Sequence, residues 1–164
     1  MDPVVIGAMI IAPLMLPIMG LAFSISIADR LAIKHSLLVS MGGILTAIAV
    51  GFILAWPLSN FFQPQNIGQV MVRTSPRLLD LLAAIITGFT RAFAMSLNDV
   101  SDTLPGVAIA ISLVPPLVNA GILMATSNYS LALGSLLLFM TNYFAILLTG
   151  AALFGLMSFP KVAV

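Results

Sequence analysis

Long apolar runs separated by short polar connections dominate the sequence. A helix that spans a lipid bilayer needs about 20 predominantly apolar residues. We therefore predict membrane helices over residues 4–28, 36–56, 78–97, 104–125 and 131–159. The connection over residues 59–76 is rich in Asn, Gln, Pro and Gly, and we predict that it forms a solvated loop.

The composition supports a membrane protein. Hydrophobic residues make up 61% of the chain and charged residues 7%, whereas a soluble globular domain is about 25% charged. This small number of polar groups cannot cover a water-facing surface. The exterior is therefore expected to face a lipid bilayer. We predict an all-α, polytopic transmembrane helix bundle, with residues 1–164 as a single domain of the inner (plasma) membrane.

Charge and residue usage exclude several classes of function. The chain has no Cys and one His, with five Asp or Glu against six Lys or Arg. No basic face is available for nucleic acid, and no thiolate metal site can form. We expect no cofactor, no metal and no enzymatic activity, because catalytic side chains do not cluster along the chain. His35 lies beside Lys34 at a helix entrance, where a solvated interfacial histidine is favoured over a proton sensor.

An internal repeat is visible when the chain is shifted by 99 residues. Gly7, Ile10, Leu14 and Pro17 then coincide with Gly106, Ile109, Leu113 and Pro116. We predict a repeat A over about residues 1–56 and a repeat B over about 77–159, in which the first helix of repeat B lacks a counterpart in repeat A. A three-plus-three plan requires a further helix upstream, and an odd number of spans per repeat makes the two copies inverted. The chain is therefore expected to be a truncated form of a six-span architecture.

Both repeated segments contain proline. Because proline removes a backbone hydrogen bond, we predict that the helices over 4–28 and 104–125 are broken near Pro13–Pro17 and Pro115–Pro116. Paired broken helices in two halves of a membrane protein are typical of transporter binding sites. Packing kinks are the alternative, since proline is tolerated in membrane helices.

Three segments resemble a known family. They are the stretch from Val5 to Ile18, the triplet Leu79-Asp80-Leu81, and the stretch from Leu104 to Leu117. Together they resemble the bacterial membrane family called domain of unknown function 389. The resemblance implies a multi-pass inner-membrane protein of unknown substrate. The chain differs from the family pattern in lacking an upstream helix and in carrying Arg91 within the third span.

Candidate site residues follow from the predicted breaks and from polar groups within the spans. The substrate-binding candidates are Pro13, Pro17, Ser112, Pro115, Pro116, Asn119 and Asn142, and two further functional candidates are Arg91 and Asp80. Asn119 shares a helix face with the prolines, so we expect its amide to line the space between the two broken helices. Interhelical hydrogen bonding is the alternative role for both asparagines. Arg91 is expected to extend towards the end of its helix, and Asp80 to pair with Arg77.

Two functions are consistent with these features. The first is a transporter or channel component for a small solute or ion. The second is a structural or sensory membrane module that does not transport. Both have the lipid bilayer as a partner and both allow a homo-oligomer.

Overall fold

A computed structural model describes residues 14–59, 67–96 and 103–157, with the backbone alone for Met15, Leu58 and residues 103–112. The described residues are helical and contain no strand. The α-helices are α1 (Met15–Ser26), α2 (Arg30–Ala55), α3 (Gly68–Met71), α4 (Leu78–Met95), α5 (Thr103–Ala125) and α6 (Tyr129–Leu156). A single 3-10 turn, Trp56–Leu58, follows α2. The predicted all-α fold class is confirmed.

Three described helices, α2, α4 and α6, are long and apolar enough to cross a membrane. They contain 26, 18 and 28 residues, which at 1.5 Å per residue gives about 39, 27 and 42 Å against a hydrocarbon core of about 30 Å. Helix α2 begins six residues before the predicted span because Asp29 caps it: the carboxylate accepts from the N–H groups of Leu31 and Ala32 at 2.9 and 3.1 Å.

The two helical hairpins, α1–α2 and α5–α6, have the same turn. Ala28 and Ser127, which are 99 positions apart, both adopt a left-handed backbone with φ of 60° and 59°. The backbone hydrogen bonds of the turns also correspond under this shift. In the first turn the N–H groups of Ile27, Ala28 and Asp29 donate to the carbonyls of Phe23, Ile25 and Ser24. In the second turn those of Thr126, Ser127 and Asn128 donate to the carbonyls of Ile122, Met124 and Leu123. Helices α2 and α6 then begin at equivalent residues. The repeat noticed in the sequence thus extends to backbone geometry at the turns.

Glycines allow the helices to cross closely. A Cβ added at Gly51 of α2 would overlap the Val118 carbonyl oxygen of α5, and one added at Gly121 would overlap that of Ile48. A Cβ added at Gly88 of α4 would lie 2.9 Å from the backbone of Ile146 of α6. Small residues that bring backbones together are a common basis of helix association in membranes. Helices α5 and α6 therefore occupy the centre, with α2 on α5 and α4 on α6.

Helices α1 and α5 run in opposite directions. A Cβ on Gly150 of α6 would lie 3.3 Å from Ala22 Cβ of α1, and further along both helices the rings of Phe154 and Phe23 are 5.5 Å apart. Because both residues of the second contact lie nearer the C-terminal ends of their helices, α1 and α6 are parallel. The short α5–α6 turn makes α5 and α6 antiparallel, so α1 opposes α5.

Helix α5 is continuous through Pro115 and Pro116, so the interruption predicted there is not found. Proline removes a donor but also fixes a backbone angle that a helix accepts. Tight packing on both sides holds the helix together: Leu113 and Leu117 are fully buried. The break predicted within residues 4–28 falls partly on Pro13, which lies outside the described residues; Pro17 lies within the first turn of α1.

The connection predicted to be a solvated loop is partly buried. Within it, the segment over residues 67–74 contains the short helix α3 and packs against the α5–α6 hairpin. Val70 is buried with Leu123 and Ala132, and the Thr74 carbonyl oxygen contacts the α-carbon side of Gly134. The polar composition of this stretch concealed the few apolar residues that anchor it.

Candidate functional site

Asn119 connects three elements. Its amide Nδ2 donates to the Val70 carbonyl of α3 at 3.1 Å and to Ser135 Oγ of α6 at 2.8 Å. Ser135 Oγ in turn donates to the Arg73 carbonyl at 2.9 Å. Asn119 is 4% exposed, and a buried amide needs such partners because it is costly to desolvate unpaired. The amide was expected to face α1; it bonds α3 and α6 instead.

A stripe of polar residues runs along the buried face of α6. It consists of Ser135, Asn142 and Thr149, each seven residues after the last. We call it the α6 polar stripe. At 1.5 Å per residue it covers about 21 Å, most of the thickness of a bilayer core. The stripe begins beside Asn119 and ends where Thr149 contacts Gly88 of α4.

The middle of the stripe is buried inside the bundle. Asn142 is 3% exposed and has an interaction partner in the structure. The adjacent Tyr143 is buried against Phe139, with ring centroids 5.6 Å apart, and its phenol faces the hydroxyl of Ser40 on α2. Within the described residues, Ser40 Oγ makes no hydrogen bond of good geometry. Hydroxyl and amide groups therefore concentrate near the centre of the bundle.

Arg91 is buried rather than extended towards water. It is 1% exposed and has the largest fully buried side chain among the residues that the structure describes, and it has an interaction partner in the structure. Its position is one turn beyond Gly88, on the face of α4 that packs against α6. That Arg91 extends towards the Asn98 end of its helix stays a prediction, because residues 97–102 lie outside the described residues.

Asp80 lies in the first turn of α4, where its charge favours the helix N-terminus. Its carboxylate also acts on Arg73 in the preceding segment. Burial lowers the pKa of Arg73, and the nearby carboxylate of Asp80 opposes that shift. Asp80 is therefore an electrostatic neighbour of the segment over 67–74, and is distant from Arg91.

The proline candidates lie in apolar surroundings. Pro115 and Pro116 are buried, and Leu117, which follows them in α5, belongs to a hydrophobic cluster with Leu14 and Ile18. Pro13 and the side chain of Ser112 lie outside the described residues. The structure thus brings Asn119 against the α6 polar stripe, which also contains Asn142.

Several residues of this polar surface were not predicted from the sequence, among them Ser40 and Ser135. Serine is common in membrane helices, so neither residue is distinctive alone. The spacing of seven between Ser135, Asn142 and Thr149 was the available indication, because that spacing places side chains on one helix face. The contacts of Val70 had no such indication.

The geometry can be compared with known proteins. Residues 9–148 match the family described as domain of unknown function (DUF389). The chain belongs to the DUF389 family. It is also 29% identical over 153 residues to the uncharacterized protein MJ0678 of Methanocaldococcus jannaschii, a match that covers 92% of this chain and 46% of that protein. The chain therefore spans about half the length of this curated relative.

These comparisons confirm the family resemblance and name no activity. MJ0678 is archaeal, so the relatives of this chain are not confined to bacteria. No solved structure matches the chain. The chain is thus a helical, membrane-type member of a family of unknown function, and its activity has to be inferred from its own geometry.

Proposed function

We propose that this DUF389 protein is a transporter or channel component for a small solute or ion, built as an inverted repeat in the plasma membrane. The observation that carries the proposal is the agreement of the two hairpins. Their turns correspond bond for bond under the 99-residue shift, and α1 and α5 run in opposite directions. Inverted repeats with sites near the bilayer midplane are a common plan of secondary transporters.

The helix packing supports the same relation. Gly51 of α2 contacts Val118 of α5, and Gly150 of α6 contacts Met19 of α1. A shift of 99 residues converts one contact into the other, since Gly51 becomes Gly150 and Met19 becomes Val118. The two hairpins thus exchange equivalent contacts, as two copies related by a pseudo-twofold axis do.

The α6 polar stripe supplies the chemistry of a pathway. Hydroxyl and amide groups donate and accept hydrogen bonds without a net charge, so they replace water around a small polar solute or a cation. Buried polar groups in membrane helices commonly mark solute or ion pathways.

Flux measurement tests this proposal. The chain is reconstituted in proteoliposomes, and flux is measured for protons, Na⁺, K⁺, Cl⁻ and small polyols, with fluorescent reporters and light scattering. Asn142→Leu is expected to reduce the flux of the active solute at least about tenfold, because it removes a buried amide from the stripe. Thr141→Leu is the matched control on the adjacent position, where the hydroxyl bonds only its own helix.

A structural or sensory module is the second candidate. The dense apolar packing of Leu113, Leu117 and Ile18 favours it, because the described side chains of this cluster offer no polar group to a solute. Absence of flux for every solute in the panel, with protein that is inserted and monodisperse, supports this candidate over transport. Unchanged flux in Asn142→Leu would show that the α6 polar stripe does not line the pathway.

The inverted arrangement has its own test. The chain has no cysteine, so Ala28→Cys and Ser127→Cys each introduce a single thiol at an exposed turn. In oriented vesicles a membrane-impermeant maleimide is expected to label the two variants from opposite sides. Labelling of both from the same side contradicts the inverted repeat.

A further inference from the structure

One end of the bundle is covered by the segment over residues 67–74. This end is the one where α5 turns into α6, because Val70 packs on Leu123 and Ala132 at either side of that turn. Leu123 is fully buried beneath it. The segment lies directly over the start of the α6 polar stripe, since Ser135 bonds the Arg73 carbonyl.

The segment reaches below the ends of the helices. Asn119, which bonds Val70, lies six residues before the end of α5, a depth of about 9 Å at 1.5 Å per residue. Ser135 lies six residues after the start of α6, at a similar depth. Irregular backbone at such depth is tolerated only where protein or water satisfies its polar groups. Asn119 and Ser135 supply that satisfaction.

The contacts that hold the segment are few and reversible. Two carbonyls, those of Val70 and Arg73, accept from side chains of the α5–α6 hairpin. Water can replace each of these bonds when the segment lifts, since a carbonyl solvates readily. Segments with few buried apolar contacts open at a lower free energy than the rest of a fold.

The end of the bundle where α1 turns into α2 has a different pair of residues at the positions equivalent to Asn119 and Ser135. A shift of 99 residues relates Asn119 to Gly20 and Ser135 to Ser36, and a Cβ on Gly20 would lie 3.2 Å from Ser36 Oγ. The pair is therefore in the same place, but Gly20 has no side chain with which to bond a covering segment. Gly20 and Ser36 are only half-buried, whereas Asn119 and Ser135 are buried.

We propose that the segment over residues 67–74 is a gate that closes this end of the α6 polar stripe, with Asn119 and Ser135 as its latch. The inference rests on the proposed transport function, for which it names a conformational step. The solute or ion enters or leaves at this end when the two carbonyl bonds break and the segment lifts. The structure is the state closed at this end.

Thiol accessibility tests the gate without any solute. Leu123→Cys places a single reporter thiol beneath Val70, and its labelling rate with a charged, membrane-impermeant methanethiosulfonate is measured by mass spectrometry. In Asn119→Ala or Ser135→Ala backgrounds we expect labelling at least about tenfold faster, which corresponds to a latch weakened by about 1.4 kcal/mol. Ser36→Ala, at the equivalent position of the other hairpin, is the control and is expected to leave the rate unchanged.

A second variant opens the gate without removing a polar group. In Gly134→Val the added side chain overlaps the Thr74 carbonyl oxygen, so the segment has to move outward and labelling is expected to rise. If the reporter variant does not fold, hydrogen exchange of the amides of residues 70–74 in otherwise unchanged protein reports the same opening. Equal rates in the latch variants and the Ser36→Ala control, by either measurement, overturn the gate.

The flux and labelling experiments test the transport function and the gate separately. Faster labelling in the latch variants without flux of any solute supports a movable segment and contradicts the transport function, and with it the role of the segment as a gate. Flux with unchanged labelling leaves transport standing and shows that this segment is not the gate.

Discussion

The crossing of α2 and α5 gives a prediction with opposite outcomes for two glycines of one helix. Gly51 and Gly42 lie nine residues apart in α2. A Cβ at Gly51 would overlap the Val118 carbonyl oxygen and lie 3.0 Å from its carbonyl carbon. A Cβ at Gly42 meets nothing within 4 Å. We predict that Gly51→Ala destabilises the fold and that Gly42→Ala stabilises it.

The magnitude follows from two terms. Alanine is a better helix former than glycine by up to about 1 kcal/mol, which favours both variants. At Gly51 the Val118 carbonyl oxygen overlaps the added Cβ, and its carbonyl carbon at 3.0 Å is also closer than the ordinary contact distance of 3.4 Å, so α2 and α5 have to separate. Overpacking of this kind costs typically 1–3 kcal/mol. The net expectation is about 1–2 kcal/mol of destabilisation for Gly51→Ala and up to about 1 kcal/mol of stabilisation for Gly42→Ala.

Equilibrium unfolding in mixed detergent micelles, followed by circular dichroism, measures both changes. Adding Gly121→Ala to Gly51→Ala tests the same crossing. Helices that one methyl group has already separated lose less stability when a second methyl group is added. The double variant is expected to be less destabilised than the sum of its parts. If Gly51→Ala is as stable as Gly42→Ala, the backbones of α2 and α5 are not in contact and the packing argument is wrong.

Three further predictions concern the turns and the latch. Asp29→Ala removes the cap of α2 and is expected to destabilise the protein by about 0.5–2 kcal/mol in chemical unfolding, while Asp29→Asn retains most of the cap. Ala28→Gly and Ser127→Gly relieve a left-handed backbone and are each expected to stabilise by about 1 kcal/mol, with similar midpoint shifts because their turns are equivalent. Asn119→Asp replaces two donors by a carboxylate that faces a carbonyl, and a loss of at least about 2 kcal/mol is expected in the same assay; a neutral result would show that the amide bonds are dispensable.

Much of the fold was predictable from the sequence. Apolar length located the helices within a few residues, because a bilayer requires spans of fixed length and satisfied backbone groups. The shift that aligned Gly7 with Gly106 also aligned the turns at Ala28 and Ser127. The proline break failed as a prediction since the packing of Leu113 and Leu117 holds α5 continuous through Pro115 and Pro116.

The candidate site was predictable only in part. Asn119 and Asn142 stand out as polar residues in apolar helices, and both are buried. Their partners do not follow from local sequence: Asn119 bonds Val70, 49 residues away, and Ser135 bonds Arg73, 62 residues away. Arg91 was expected to extend towards the end of its helix, and its burial depends on how α4 packs against its neighbours.

The sequence by itself determined that this protein is helical and membrane-type, because these properties depend on composition and on the length of the apolar runs. Tertiary structure decided which polar groups are buried together, that residues 67–74 fold back over the α5–α6 hairpin, and that α1 opposes α5. The physical reason is that hydrophobicity acts on each segment separately, whereas a hydrogen bond such as that between Asn119 and Val70 needs two distant parts of the chain to be placed within about 3 Å of each other.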